Sequence, residues 1–231
     1  MRAALSLLLM LFARLALAAD PPTVAILYFD YDGTDGELVP LRKGLAQMLI
    51  TDLAGRDSYR IVERAKLQEV LTELNLSKTQ KIDPASALKV GRLLQAKYMI
   101  VGSYFVMAGS MQLNAHVFEV ETSQTHRGVG ATGKTDDFFA LEQKLAAEAD
   151  AVLLGIIAKA ATAPAPKPTP PTALAKSGKG KVPLKAVSAL SKALQSKDDK
   201  DAARAKAQLE EVVKANPEFL LARLELADLS R

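Results

Sequence analysis

The chain of 231 residues contains no cysteine and no tryptophan, and it has only two histidines. Without cysteine there can be no disulfide bond, no thiolate metal site and no cysteine nucleophile. Aromatic residues make up 5% of the chain, whereas apolar residues make up 49%. We therefore expect a core built mainly from leucine, valine, isoleucine and alanine, without structural help from covalent cross-links.

The formal net charge of +4 is unevenly distributed along the chain. Residues 20–160 carry 15 basic and 18 acidic side chains, whereas residues 161–231 carry 13 basic and 8 acidic ones. The high isoelectric point thus comes from the C-terminal part and the N-terminus. A mildly acidic main segment with a modestly basic tail does not indicate a nucleic acid partner.

Residues 1–19 have the pattern of a secretory signal peptide. Arg2 provides a positive start, an apolar stretch follows, and Ala16-Leu17-Ala18 fits the small-residue cleavage pattern. The apolar stretch is too short to span a membrane. The sequence therefore predicts a protein exported to the periplasm, with a mature chain that has no transmembrane segment.

Residues 22–160 alternate between strand and helix patterns. Apolar runs at Thr23–Phe29, Ile61–Val62 and Tyr98–Val101 are typical of strands. Between them, leucines recur at helical spacing from Leu38 to Leu53 and again from Leu67 to Leu74. A further helix should start at Asp83, a good N-cap that is followed by proline at the first helical position.

The second half of this segment favours antiparallel strands. Met111, Leu113, Ala115 and Val117 alternate with polar residues, and a turn and a weaker strand follow. From Asp136 a long helix should bury Phe138, Leu141, Leu145, Ala149, Val152 and Ile156. The segment is therefore predicted to be an α/β (α+β) domain, a mixed sheet with flanking helices.

The same residues resemble a known family. The Glu63-Arg64 pair and the segment Ala-Lys-Tyr-Met-Ile-Val-Gly-Ser, residues 96–103, are the most specific parts. From about Val24 to Leu154 the chain resembles the CsgG family, the curli production assembly/transport components, and it is similar to the related periplasmic activators of penicillin-binding proteins. The resemblance implies an envelope role without catalysis. Members of these families usually carry a lipid on an N-terminal cysteine, and this chain, predicted not to be a lipoprotein, departs from them in that respect.

The remainder of the chain divides into a linker and a helical tail. Residues 161–181 are rich in proline and lysine, which is typical of an extended spacer. Residues 182–231 predict a short helical hairpin, and the Asn216-Pro217-Glu218-Phe219 junction resembles a tetratricopeptide repeat. Stacked repeats generally need three or more units to bury a continuous core. The tail should therefore be a marginal hairpin, or be completed by the main domain or by a partner.

The stretch from Gly128 to Thr135 fits the pattern of a phosphate-binding loop, G-x-x-x-x-G-K-[ST]. The residues before it are polar rather than a buried strand, and Asp136 and Asp137 follow it. Two carboxylates in the first helical turn would repel a bound triphosphate. We therefore interpret the stretch as a glycine-rich strand end that enters a helix.

The remaining polar candidates do not combine into a reactive set. His116 and His126 form no close-spaced group with carboxylates, and His116 is predicted to lie on the solvent side of a strand. Asp30, Asp32 and Asp35 lack the spacing of a calcium loop and fit turn formation better. The sequence thus predicts no catalytic residue, no cofactor and no metal ion.

Taken together, the patterns favour a non-enzymatic periplasmic protein that acts through protein–protein contacts in envelope assembly or curli-type secretion. Its partners would be other envelope proteins, with homo-oligomer formation left open. Two alternatives remain: an oligomeric subunit of an outer-membrane export assembly, and a nucleotide-binding protein that uses Lys134.

Overall fold

The computed structural model describes residues 20–79, 81–162, 164, 176–178 and 182–230. The predicted signal peptide and most of the predicted linker lie outside these residues. The described part contains one six-stranded mixed sheet with the strands β1 (Thr23–Ile26), β2 (Asp30–Tyr31), β3 (Arg60–Ile61), β4 (Tyr98–Met107), β5 (Ser110–Glu119) and β6 (Thr125–Lys134). The predicted α/β class and mixed sheet are confirmed.

The described residues also form seven α-helices: α1 (Leu41–Leu53), α2 (Arg64–Glu73), α3 (Pro84–Leu93), α4 (Phe138–Ala160), α5 (Leu184–Asp198), α6 (Ala202–Ala215) and α7 (Leu220–Asp228). The predicted start of α3 is confirmed, since Asp83 caps it by accepting from the Ser86 N–H at 3.0 Å. None of the described helices combines the length and the apolar character needed to cross a bilayer.

The sheet has the order β3-β1-β4-β5-β6, and β2 pairs with the far half of β4. The pairs on the N-terminal side are parallel, whereas β4, β5 and β6 form an antiparallel meander of ten-residue strands. The first predicted strand is shorter than expected: it ends at Ile26, and Leu27–Phe29 continue as buried chain that connects to β2.

The two faces of the sheet are covered unequally. Helices α1 and α4 pack together, and α4 covers β5 and β6, where Gly133 approaches Leu141. On the opposite face α3 covers one end of β4, so closely that a Cβ on Gly91 would lie 2.4 Å from the Met99 sulfur. The rest of that face, over β4 and β5, has no helix on it in the described part of the chain.

The tail packs against the main sheet domain. It has three helices where the sequence predicts two, and α5 packs directly on α1. The interface buries Val187, Leu190 and Leu194 of α5. These residues belong to the same buried cluster as the core of the sheet domain, so the tail and the domain share one core. Burial of such apolar surface contributes about 25 cal/mol per Å².

A short strap, residues 176–178, joins the tail to α1. The N–H groups of Lys176 and Ser177 donate to Asp52 Oδ1 at 3.0 and 2.7 Å, and Ser177 accepts at its carbonyl from the Leu221 N–H. Asp52 is fully buried, as is Glu142 of α4 beside it. Burial raises the pKa of Asp52 to about 6, and burial together with the Asp52 charge raises the pKa of Glu142 well above its usual value.

This carboxyl pair predicts a pH-dependent stability. The folded chain retains a proton that the unfolded chain releases above its ordinary carboxyl pKa values of 3.8 and 4.5. The free energy of unfolding should therefore fall as the pH rises from that range through 6 and beyond, by on the order of 2 kcal/mol. Glu142→Gln cannot ionise at this position, so it should reduce this fall by the part that Glu142 contributes and leave the part that burial of Asp52 causes.

Urea unfolding of both proteins at pH 5 and pH 7.5 measures the effect. Asp137→Asn, a change at an exposed carboxylate, serves as the control and should keep the wild-type pH dependence. A Glu142→Gln protein that loses stability with pH as steeply as the wild type does would contradict the contribution of Glu142.

Candidate functional site

The uncovered part of the sheet forms the floor of a groove of about 540 Å³. Strand alternation turns Val101 and Ser103 of β4 toward this face, together with Asn114, His116 and Phe118 of β5. The start of α3 and the residues just before it form one wall, and the β5–β6 turn forms the other. The floor is thus partly apolar, and the rim is polar.

Arg42 of α1 holds the first wall in place. Its guanidinium donates to the Phe29 carbonyl at 2.7 Å and to the Thr79 carbonyl at 3.1 Å, and it pairs with Asp30 at 3.4 Å. Burial raises the pKa of Asp30, and the positive charge of Arg42 opposes that rise. One side chain therefore fixes two loop segments that border the groove.

The three aspartates of this loop each have a separate role. Asp30 pairs with Arg42, Asp32 pairs with Lys81, and Asp35 accepts from the Glu37 N–H at 2.9 Å at the start of a short 3-10 turn. The hydrogen bond from Lys81 lowers the pKa of Asp32. Their carboxylates are thus engaged separately, which agrees with the interpretation as turn residues. No group of three or more possible metal ligands occurs among the described residues.

The two histidines lie in different surroundings. His116 is exposed in the groove on the open face of β5, as the alternation predicts. His126 lies at the start of β6 with its ring edge toward Tyr98, at a centroid distance of 6.3 Å. The two histidines lie on the paired strands β5 and β6 but are not opposite each other, since His116 is opposite Gly128.

The stretch that fits a phosphate-binding loop is an extended strand. Residues 128–134 lie within β6 and pair with Ser110–His116 of β5. Successive N–H groups of a strand point in opposite directions, whereas a phosphate loop requires them to converge. The geometry matches the predicted glycine-rich strand that leads into a helix and lacks the loop that a nucleotide site needs.

Glu63 and Arg64 do not act as a pair, although both start α2. Glu63 precedes the helix with an exposed side chain, whereas Arg64 is buried and donates to both oxygens of Asp198, at 2.7 and 2.9 Å. Lys43 pairs with the same carboxylate. Asp198 is the last residue of α5. Arg64, one of the residues on which the family resemblance rests, therefore binds the tail.

The electrostatics of this cluster follow from its burial. Burial alone would lower the pKa of Arg64, but Tyr28 and Asp198 more than offset that effect, and the pKa is raised. Burial lowers the pKa of Lys43, with Asp198 opposing. Burial also raises the pKa of Tyr28 to about 12. Asp198 thus accepts from two cationic side chains, Arg64 and Lys43.

Sequence reasoning missed the Asp198 contact and the groove, because both join residues far apart in the chain. It could have found the Asp52–Glu142 pair. Asp52 follows Met48 by four residues, and Glu142 follows Phe138 by four, so each carboxylate lies on the apolar stripe of its helix.

Removal of the Asp198 charge should destabilise the chain strongly. Asp198→Asn leaves Arg64 and Lys43 buried without an anion, which typically costs about 3–5 kcal/mol. Chemical unfolding measures the loss, and limited proteolysis should show earlier cleavage within α5–α7. Lys66→Ala breaks the exposed Lys66–Glu69 pair and serves as the control, with no measurable change expected. Equal stability of Asp198→Asn and wild type would contradict the role of Asp198.

Comparison with known proteins gives a family match and several structural likenesses. Residues 34–132 match the family described as curli production assembly/transport component CsgG. No curated protein sequence matches the chain.

The solved structures that resemble the chain include three at low sequence identity. The LpoB C-terminal domain from Salmonella enterica is 12% identical, with a TM-score of 0.40 over 54% of this chain and 91% of that one. Lipoprotein GNA1162 from Neisseria meningitidis is 10% identical, with a TM-score of 0.40 over 49% and 81%. The PelC dodecamer from Paraburkholderia phytofirmans is 14% identical, with a TM-score of 0.37 over 58% and 89%.

The matched residues run from the loop after β2 to near the end of β6. They include most of the groove, as well as Arg64, but exclude α4 and the tail. The tetratricopeptide resemblance of the tail stays a prediction. The predicted resemblance to the CsgG family is therefore confirmed for residues 34–132.

Proposed function

We propose that this protein is a non-enzymatic component of the cell envelope, exported to the periplasm, that binds a protein partner through the groove on the open sheet face. The CsgG match of residues 34–132 supports the envelope role, because the family is described as a curli production assembly/transport component. The groove is the single observation that supports binding of a protein partner.

The chemistry of the groove favours a protein surface over a reacting substrate. Its charges are already compensated, since Asp30 pairs with Arg42 and Asp32 with Lys81. An apolar floor at Val101 and Phe118 with polar groups around it matches the composition of a protein interface, which has an apolar centre and a polar rim.

A second candidate function is an oligomeric subunit of an export assembly. The observation that favours it is the same family match, since the family description names assembly and transport. Sedimentation of the purified mature chain separates the two candidates: a ring-sized species favours the subunit, whereas a monomer at all concentrations contradicts it.

Photo-crosslinking in intact cells tests the groove as a binding surface. A photoreactive amino acid at Thr125, an exposed residue of the groove, should give one discrete adduct with a periplasmic protein. His116→Glu in the same chain should reduce the yield about thirtyfold, because an unpaired charge buried at an interface costs about 2 kcal/mol.

The matched control places the photoreactive residue at Lys214, which is exposed on α6 away from the groove. It should give no such adduct. A discrete adduct from Lys214 with none from Thr125, or a Thr125 adduct that is unaffected by His116→Glu, would contradict binding through the groove.

A further inference from the structure

The outer edge of β6 is a long strand edge that no strand covers among the described residues. β6 pairs only with β5, and its ten residues contain no proline. Proteins commonly protect such edges, because free N–H and C=O groups pair readily with another chain. Within the described residues, one side chain hydrogen-bonds to this edge: the Glu148 carboxylate accepts from the Gly130 N–H at 3.3 Å.

The register identifies the backbone groups that point outward. Gly130 donates to Glu148 of α4 and not to β5, although it lies opposite Asn114. Its position is therefore a non-hydrogen-bonded one in the ladder, and every second residue shares that orientation. The outward groups are those of Gly128, Gly130 and Thr132. Two of the three residues have no side chain to obstruct an approaching strand.

A groove of about 580 Å³ runs beside this edge, between β6 and α4. Val152, Gly155 and Ile156 of α4 form one side of it, at spacings of three and four residues on one face of the helix. Val152 and Ile156 are only half-buried, unlike the other apolar residues predicted for the buried face of α4. A Cβ on Gly155 would meet nothing within 4 Å. A strand added to β6 would place every second side chain against this apolar stripe.

The charges in the groove beside β6 indicate the sign of the charges that an added strand would carry. Arg127 of β6 and Lys159 of α4 are exposed, and neither has an ion pair within the described part of the chain. The His126 Nε2 atom is buried there and lacks a hydrogen-bond partner. The two exposed cations complement carboxylates on an incoming chain.

We propose that the outer edge of β6 and the adjoining groove bind an extended peptide segment of a partner protein, which adds a seventh strand to the sheet. Main-chain hydrogen bonds to Gly128 and its alternate neighbours provide the pairing, as in β-strand addition generally. Apolar side chains of the segment pack on α4, and a carboxylate at the segment's end pairs with Arg127 or Lys159. This surface is distinct from the groove on the open sheet face.

The test uses the full chain and a defined probe. The probe is a capped eight-residue peptide of alternating valine and threonine with aspartate at both ends, labelled for fluorescence anisotropy. The wild-type chain should bind it. The same peptide methylated on every amide nitrogen should not bind, because neither of its edges then has an N–H donor.

Two matched variants at Gly128 separate the loss of a backbone N–H from the addition of a side chain. Gly128→Pro removes an outward N–H and should weaken binding about tenfold or more, whereas Gly128→Ala adds the same Cβ, keeps the N–H, and should stay within about twofold of wild type. The double variant Arg127→Glu and Lys159→Glu should also weaken binding about tenfold, and Lys144→Glu, an exposed charge reversal elsewhere on α4, should not.

These outcomes decide the proposal even if Gly128→Pro fails to fold, because the methylated peptide and the charge variants need no backbone change. No binding to wild type, equal binding of both peptides, or full binding by the charge-reversed double variant would overturn it. A dimer of this chain that sediments at high concentration and that Arg127→Glu with Lys159→Glu dissociates would assign the edge to a second copy instead, which also overturns it.

Discussion

The position of β4 at the centre of the sheet is the constraint on which the rest of the structure depends. It pairs in parallel with β1 and β2 on one side and antiparallel with β5 on the other, over ten residues. At Gly102 the neighbouring chain is so close that a Cβ would lie 2.3 Å from the Asn114 carbonyl oxygen and from the Phe29 ring. Only glycine fits between these groups, so this residue permits the two halves of the sheet to meet.

The unequal covering of the sheet follows from that arrangement. The crossover from β3 to β4 brings α3 over one end of β4, and the meander that follows has no crossover helix of its own. The sheet therefore ends with an open face at Val101, Ser103 and His116. The same topology leaves β6 as an outer strand, with α4 extending beyond it. The groove and the free edge are thus two consequences of one strand order.

Buried polar contacts attach the tail to this frame at two places. Asp198 binds Arg64 and Lys43, and Asp52 binds the strap next to the tail. A buried ion pair adds little net stability compared with apolar packing, because both ions lose their hydration. It is costly to break, however, so it selects one docked position for α5. The apolar contacts between α1 and α5 provide the main stabilisation, and the charges determine the register.

Local pattern was sufficient to predict much of the fold. Strand alternation in β5, the Asp83 cap and the apolar stripe of α4 are short-range signals that the final packing does not override. Strand length was harder to predict, because Leu27–Phe29 are as apolar as β1 but lie where the chain shifts to β2. The groove was not predictable in the same way. It brings together Asp32, Lys81 and His116, and only the sheet order determines that these residues meet.

Two separate observations support the proposed function. The family match over residues 34–132 supports an envelope role, and the compensated charges and apolar floor of the groove support binding by contact. Export is common to both, because an envelope partner is reachable only by a chain that leaves the cytoplasm. The proposed envelope function therefore depends on the predicted signal peptide at residues 1–19.

Cell fractionation, with the N-terminus of the purified product read by mass spectrometry, tests this most directly. The account predicts a periplasmic product that begins at Ala19 or Asp20, after removal of the signal peptide. An intact chain that begins at Met1 and stays in the cytosol would contradict it, and the envelope role would have to be abandoned.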